Sequence, residues 1–294
     1  MTKKGACGTL KENKREHAMT EPFKKTAGGL FHLEKWEQEE PGLVAGFTSK
    51  AGGLGIYNGL NMAFHVQDEP ALVQKNRTKT AELLGFPISG WVGCEQTHEV
   101  NIAHVSKSDT GRGALDYETA IASTDGLYSD EAGVLLTLCY ADCVPLYFLD
   151  GKTKRIGTAH AGWKGSVGGI GPDIVKKWKE EGSCLKDIKA AIGPSICGSC
   201  YKVGASVVEA AEKWYQPDEK MPFSPVLDEA DIYFFSLQDF NKDLLIKEGL
   251  LPENIYVTSL CSSCSPAFFS HRRDGGHTGR MMGYIGWKEG NHES

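Results

Sequence analysis

The sequence predicts an α+β fold, in which helices and strands of mixed direction surround a common core. Strand-like and helix-like segments intermix along the chain without the steady alternation that a doubly wound sheet shows. Neither an internal repeat nor a long linker divides the 294 residues, so we expect one domain over residues 26–294. Residues 1–25 begin with a polar, lysine-rich stretch without periodicity, and we predict that they form a disordered N-terminal extension.

The hydrophobic pattern locates the main elements in chain order. Leu43–Thr48 is an apolar run typical of a strand, and a glycine-rich loop follows it. Pro70–Leu84 carries its apolar residues at helical spacing, which predicts an amphipathic helix. By the same criteria we predict further strands at 90–98, 100–105, 133–149, 155–161 and 254–260, and further helices at 170–181, 204–215 and 236–249.

Composition and charge exclude several classes of protein. A net charge of −6 argues against a general nucleic-acid-binding protein. The longest apolar run, residues 133–149, is interrupted by Asp142 and Pro145 and is too short to span a bilayer. The first residues lack the apolar core of a secretory signal. We therefore expect a cytoplasmic protein whose nine cysteines stay reduced and serve as core residues, ligands or nucleophiles.

The most informative stretch, residues 138–165, is predicted to form a β-hairpin that brings a cysteine close to a histidine. The Asp-Gly pair at 150–151 is a strong turn signal between two strand-like runs. A two-residue turn places Cys143 directly opposite His160, with Cβ atoms about 5 Å apart. A four-residue turn instead places Cys143 opposite Gly162. Both registers predict that the thiol and the imidazole lie close together.

This pair suits two kinds of chemistry. Thiolate and imidazole are ligands of zinc, and they also form the nucleophilic pair of a metal-free cysteine hydrolase. Asp142, which precedes Cys143, is a candidate for proton transfer. His98 is the best candidate for a third ligand, because six residues along a strand separate it from His104 by about 20 Å and only one of the two can join the site. Two histidines and one cysteine with an open position are typical of catalytic zinc.

Two further cysteine pairs, Cys197-x-x-Cys200 and Cys261-x-x-Cys264, have the local spacing of zinc-ribbon halves. The 60 residues between them far exceed the roughly 15–20 of a ribbon, which favours local packing. We expect a variant with all four replaced by serine to keep one zinc per chain. A multicopper centre is disfavoured because the sequence has no His-x-His pair, and neither a nucleophile elbow nor a dinucleotide-binding motif is present.

Several cations are candidates for binding an anionic substrate. Three arginines, Arg272, Arg273 and Arg280, lie among glycines near the C-terminus. Their guanidinium groups can form paired hydrogen bonds with phosphate or carboxylate. Arg77 and Lys164 are further candidates.

Seven segments together resemble the YlmD/YfiH group of bacterial laccase-domain proteins, which is related to a mammalian purine-metabolism enzyme. In chain order they are GFTSKAGGLG…YNGLNMAFHV (46–66), KNR (75–77), EQTHEV (95–100), CYADCVP (139–145), AHAGWKG (159–165), AIGPSICGSCYKV (191–203) and FFSHRRDGGHTGRMMGYI (268–285). The resemblance implies a zinc site of two histidines and one cysteine, which map to His98, Cys143 and His160. One departure is Lys50, where many relatives carry arginine, and it puts an anion-binding role of that position in doubt.

The resemblance also implies an activity and a fold. The activity is zinc-dependent phosphorolysis of the purine nucleosides adenosine, inosine, guanosine and methylthioadenosine, with adenosine deamination at the same site. Asn61, in the first matched segment, joins the cations as a predicted substrate-binding residue. The fold is a layered α/β/β/α sandwich similar to the catalytic domain of cytotoxic necrotizing factor, which makes residues 26–294 a single catalytic domain.

Three alternatives remain at this point. They are a metal-free cysteine hydrolase using Cys143 and His160, a copper-dependent phenol oxidase, and a partner-binding protein with a vestigial metal. In the enzymatic interpretation we expect Arg273→Ala to weaken phosphorolysis more than deamination, since only phosphorolysis must bind phosphate.

Overall fold

The computed structural model describes residues 21–26 and 28–290. Its strands are β1 (Lys24–Lys25), β2 (Leu30–His32), β3 (Leu43–Thr48), β4 (Trp91–Gly93), β5 (Ile102–His104), β6 (Gly126–Ser129), β7 (Leu135–Tyr140), β8 (Val144–Asp150), β9 (Arg155–Ala161), β10 (Ile188–Ile192), β11 (Lys202–Gly204), β12 (Phe223–Pro225), β13 (Ile232–Phe235), β14 (Ile255–Val257) and β15 (Met281–Trp287). Its α-helices are α1 (Glu34–Glu39), α2 (Pro70–Leu84), α3 (Trp163–Gly168), α4 (Ile170–Glu180), α5 (Ala205–Glu212) and α6 (Leu237–Lys247).

The strands form two large mixed sheets and one small antiparallel sheet. The first large sheet has the order β1-β2-β3-β15-β7-β4, and only the β7–β4 pair is parallel. The second has the order β14-β10-β8-β9-β6-β5, with parallel pairs at both edges. The small sheet has the order β11-β13-β12. The predicted α+β class with mixed sheets is confirmed.

Three apolar clusters place the sheets and helices in layers. The central cluster joins the two large sheets, with Phe47 and Leu138 from the first and Leu149 and Ile156 from the second. A second cluster packs α4 to α6 on the second sheet, and a third includes residues of α2 and of the first sheet. The chain therefore has helices outside two facing sheets. The likeness to cytotoxic necrotizing factor stays a prediction.

The hairpin of β8 and β9 has the longer of the two predicted turns. Asp150 pairs with Arg155 around a four-residue loop, so that Pro145, and not Cys143, lies opposite His160. The Asp150 carboxylate favours this turn because it accepts hydrogen bonds from the backbone N–H groups of Lys152 and Thr153. The two-residue register is therefore wrong.

The boundary of the predicted extension at residue 25 is also wrong. The Glu21 carboxylate accepts hydrogen bonds from Thr258 and Ser259, and Phe23 is buried against Tyr147. Strand β1 then pairs with β2. Residues 21–25 thus belong to the fold, and residues 1–20 lie outside the described part of the chain. Of the helices in the described ranges, none has the length and apolarity needed to cross a membrane.

Candidate active site

The three predicted ligands meet where the chain passes between the two large sheets. His98 lies between β4 of the first sheet and β5 of the second, and Cys143 lies between β7 and β8. His160 is in β9 of the second sheet. Their ligand atoms all lie within 4.8 Å of one another, and the two imidazole rings are 4.7 Å apart between centroids. The structure therefore brings the predicted set together.

One buried carboxylate, that of Asp125, fixes the two histidines. Its Oδ1 lies 2.8 Å from His160 Nδ1 and accepts the backbone N–H of His98 at 3.1 Å. Its Oδ2 accepts the backbone N–H groups of Thr97 and Glu99. Because Nδ1 of His160 is engaged, Nε2 is the ring nitrogen available to the centre, as in the carboxylate–histidine arrangement of many metal sites.

Asp142 connects the cysteine to the loops that follow β14. Its carboxylate accepts hydrogen bonds from the Ser262 hydroxyl at 2.6 Å, the Ser270 hydroxyl at 3.1 Å and the backbone N–H of Arg272 at 2.7 Å. Both Asp142 (φ 84°) and His98 (φ 62°) adopt the left-handed backbone region, which is strained for residues other than glycine. The carboxylate contacts of Asp142 hold its own strained backbone, and Asp125 holds that of His98. The predicted proton-transfer role of Asp142 stays a prediction.

The ionisation of Cys143 and His160 favours the form of the thiol that binds metals. Burial raises the pKa of Cys143, but the charge of His160 and hydrogen bonds from His160 and His98 outweigh it and lower that pKa to about 6. Burial lowers the pKa of His160, but the Cys143 thiolate and Asp125 raise it to about 9. A thiolate and two imidazoles match the donors that zinc prefers, so the residues present fit the ion.

A cavity of about 410 Å³ opens above these three residues. Aromatic side chains of Trp163 and Tyr201 line it, as do the cations Arg272 and Arg280. His65 also lines it, and burial together with the charge of Arg280 lowers the pKa of His65 to about 4. The site thus combines aromatic surfaces, two permanent positive charges and a neutral imidazole, within the volume range of small-molecule sites.

Comparison with known proteins identifies the family. Residues 44–288 match the family model described as "Multi-copper polyphenol oxidoreductase laccase". A relative from Geobacillus stearothermophilus, named purine nucleoside phosphorylase YlmD, is 45% identical over 252 residues, which cover 84% of this chain and 91% of the relative. The chain belongs to the YlmD/YfiH laccase-domain family. The Bacillus subtilis relative of the same name is 42% identical over 91% of this chain and 98% of its own length.

Solved structures agree with this membership of the family. The crystal structure of YlmD from Geobacillus stearothermophilus superposes with a TM-score of 0.87 at 42% identity, covering 92% of this chain and all of that one. The Bacillus licheniformis hypothetical protein YfiH gives a TM-score of 0.86 at 42% identity over 91% of this chain and 99% of its own.

Within this family member, four of the six predicted substrate-binding residues do not line the cavity. The guanidinium of Arg77 is buried and donates to the carbonyls of Met62, Gly113 and Ala114. Asn61 bonds the backbone of neighbouring loops, and Lys164 is exposed beside Trp163. Of the six predicted substrate-binding residues, the two that line the cavity are Arg272 and Arg280.

Arg273 is the fourth predicted substrate-binding residue that does not line the cavity. Its contacts show that it stabilises a loop. Its guanidinium donates to the carbonyls of Ser262, Ser263, Ser265 and Phe268, and it pairs with Asp274. The residue holds the loop after β14 in shape. A selective effect of Arg273→Ala on phosphorolysis therefore has no basis in this arrangement.

The two C-x-x-C pairs lie together in the structure, although 60 residues separate them in the sequence. Strands β10 and β14 are parallel neighbours, so the loops that follow them leave the same edge of the sheet. The loops carry Cys197, Cys200, Cys261 and Cys264, whose sulfur atoms all lie within 4.8 Å of one another. The sequence separation therefore does not keep the two pairs apart, because the parallel pairing of the strands brings their loops together.

The pKa of Cys143 predicts the pH dependence of its alkylation in metal-free protein. Because the pKa is lowered to about 6, the thiolate fraction should rise through pH 6 and be nearly complete at pH 7.5. Mass spectrometry of the Cys143 peptide after brief iodoacetamide treatment measures this profile. His98→Ala should raise the midpoint, since it removes a hydrogen bond to the thiolate. A wild-type midpoint near the ordinary value of 9 would contradict the arrangement.

Gly162 offers a test of how closely the ligands are packed. A Cβ added there would lie 3.1 Å from Cys143 Sγ and 3.4 Å from His98 Cδ2, while its φ of −64° suits any residue. We expect Gly162→Ala to lower metal affinity about tenfold, in the range of changes that misorient ligands, with little loss of thermal stability. Gly204→Ala is the matched control, because Gly204 also caps a helix at negative φ and has open space around it. Equal metal affinity in both variants would count against this packing.

Proposed function

We propose that this protein is a zinc-dependent purine nucleoside phosphorylase that uses phosphate to cleave adenosine, inosine, guanosine and methylthioadenosine, and that also deaminates adenosine. The observation that carries the proposal is the cluster of His98, Cys143 and His160 beneath a cavity whose wall holds Arg272 and Arg280. The names of the relatives support the phosphorylase activity, since the matches extend over most of both chains.

In this mechanism different residues of the cavity bind the two substrates, phosphate and the nucleoside. A zinc ion held by the three ligands would supply a Lewis acid beside the reacting atoms. Arg280 and Arg272 bind the incoming phosphate and stabilise its charge as one of its oxygens attacks C1′ of the ribose. The new C1′–O bond replaces the bond from C1′ to N9 of the purine, and the base leaves with that electron pair and takes up a proton from solvent. Trp163 and Tyr201 offer flat apolar surfaces to the purine.

Asp125 and His65 contribute to this reaction through hydrogen bonds. Asp125 orients a ligand, and His65 is uncharged. Asp125 holds His160 in one tautomer and orientation, so that Nε2 keeps facing the centre. His65 stays neutral at physiological pH because its pKa is about 4, and one ring nitrogen can donate a hydrogen bond while the other accepts one.

Two other functions are favoured by particular observations. The lowered pKa of Cys143 next to His160 also suits a metal-free cysteine hydrolase. The description of the family model and the Cys-His₂ donor set suit a copper-dependent phenol oxidase. The chain has no His-x-His pair from which a trinuclear copper centre could be built.

One experiment separates these functions. Purified protein is incubated with adenosine or inosine, with and without phosphate, and the products are resolved by chromatography while bound metals are quantified. We expect phosphate-dependent release of the free base, phosphate-independent inosine from adenosine, and loss of both with a chelator. Activity that persists in metal-free protein would favour the hydrolase, and dye oxidation that needs copper, without nucleoside turnover, would favour the oxidase.

Arg280 provides a prediction specific to phosphate. Arg280→Gln should raise the KM for phosphate about tenfold or more, because one permanent charge in the cavity is lost, while adenosine deamination changes less than threefold. The matched control is Arg112→Gln, which removes an exposed arginine that pairs with Asp109 outside the cavity. Steady-state kinetics at varied phosphate measure the effect, and a parallel loss of deamination would contradict a phosphate-binding role.

A further inference from the structure

The second group of potential metal ligands lies on two loops at the edge of the second sheet. Cys197 and Cys200 follow β10, and Cys261 and Cys264 follow β14. Cys200 Sγ lies 3.3 Å from Cys264 Sγ, and Cys197 Sγ lies 3.9 Å from it. All four sulfur atoms fall within 4.8 Å of one another.

These distances suit one tetrahedral ion. Zinc binds thiolate sulfur at about 2.3 Å, which places the sulfur atoms of a tetrahedral site about 3.8 Å apart. An iron–sulfur cluster spreads its four cysteines over more than one iron atom, and cysteine sulfur atoms on different irons lie much further apart than this. We propose that Cys197, Cys200, Cys261 and Cys264 bind one structural zinc ion. The proposal is independent of the proposed function.

The backbone around the quartet supports thiolate ligands. The N–H groups of Cys197 and Cys264 both donate to Cys261 Sγ at 3.3 Å, and such donors stabilise an anionic sulfur. The Ser199 hydroxyl lies 3.1 Å from Cys197 Sγ. On binding zinc, each thiol releases its proton to solvent and donates a sulfur lone pair to the ion.

Exposure argues against simple apolar packing. Cys261 is buried, but Cys197 and Cys200 are half-buried and Cys264 is exposed. Free cysteines that serve as small apolar residues are among the most buried side chains, which does not describe this group. Four protein ligands also leave no open position, so the ion has a structural role.

The ion would join two loops that form one wall of the cavity. The first loop contributes Tyr201 and the second contributes Arg272, whose guanidinium lies 5.0 Å from the Tyr201 ring centroid. Ser195 and Cys261 already form a β-bridge between the loops. Arg273 braces the Cys261–Cys264 turn through its carbonyls. The zinc would thus hold the two loops of this wall together.

The test begins with the full-length Cys143→Ala protein, because that change removes a ligand of the other candidate site and leaves the quartet intact. We expect one zinc per chain by mass spectrometry of metals, and an X-ray absorption shell of four sulfur atoms at about 2.3 Å. Absence of zinc, iron in its place, or nitrogen in the shell would overturn the proposal.

Two further measurements use the same protein. Adding Cys200→Ser and Cys264→Ser should lower zinc from one to nearly none per chain, whereas the exposed Cys184→Ser should leave it unchanged. Thiol titration of the denatured, unreduced Cys143→Ala chain should find its eight remaining cysteines free (the nine of the sequence less Cys143). A count lower by two or four would show that disulfides hold the loops and would overturn the zinc site. The absorption measurement stands even if the serine variants fail to fold.

Discussion

Cys143→Ala is expected to abolish both phosphorolysis and deamination and to remove the metal from the cavity. Among the described residues this group offers three protein ligands, and the thiolate is the anionic one of the three. Changes to residues that merely orient a ligand typically cost 10–100-fold in metal affinity, so loss of a direct ligand should exceed about 100-fold. Equilibrium metal binding and nucleoside turnover, measured on the same preparation, check the result.

A matched change controls for the loss of a thiol as such. Cys184 is exposed and lies in neither cysteine-containing group, so Cys184→Ala should keep wild-type activity and metal content. Because the quartet is proposed to bind a second ion, total zinc in Cys143→Ala should fall by one equivalent and not to zero. Full activity of Cys143→Ala with metal absent would refute the catalytic assignment.

Asp125→Ala is expected to damage both stability and metal binding. The carboxylate is fully buried and accepts hydrogen bonds from three consecutive backbone N–H groups besides holding His160. The residues that donate these N–H groups, 97–99, are exposed, so water can replace part of the lost bonding. The free energy of unfolding should therefore fall by about 1–3 kcal/mol. Metal affinity should fall by about 10–100-fold, because His160 loses its orientation.

Asp150 supplies the comparison for Asp125. It is also a buried aspartate that accepts two backbone hydrogen bonds, but it lies in the β8–β9 turn, away from the cavity lining. Asp150→Ala should lower the free energy of unfolding without changing metal affinity. Chemical denaturation and metal titration of both variants separate the two effects. Equal metal affinity in Asp125→Ala and wild type would mean that Asp125 is only structural.

Local sequence signals predicted the strongest elements well. The predicted bounds of Leu43–Thr48 and Pro70–Leu84 agree with the structure, because each is a continuous segment whose pattern its own neighbours determine. The apolar run at 133–149 was less informative. It divides at residues 141–143, where the chain changes sheets, and apolar residues continue on both sides of that change. Strand β15, at the centre of the first sheet, was not predicted at all.

The sequence predicts those site residues that belong to one β-hairpin. It does not predict those that are distant in sequence and come together only in the folded chain. Cys143 and His160 are neighbours across a single turn, and either turn length gives their proximity. Asp125 was missed, although an isolated aspartate just before a strand, at the Thr-Asp-Gly stretch 124–126, was a usable signal. The proximity of the two C-x-x-C pairs cannot be derived from their spacing, because it depends on the parallel pairing of β10 with β14.

The position of His98 and Cys143 in the crossings between sheets has a consequence for folding. Neither sheet alone contains all three ligands, so the complete donor set forms only after the two sheets have docked. A metal that binds only this docked state adds stability that grows with the logarithm of its free concentration. Adding metal should therefore slow amide hydrogen exchange in both sheets together, because it stabilises the docked state that both sheets share.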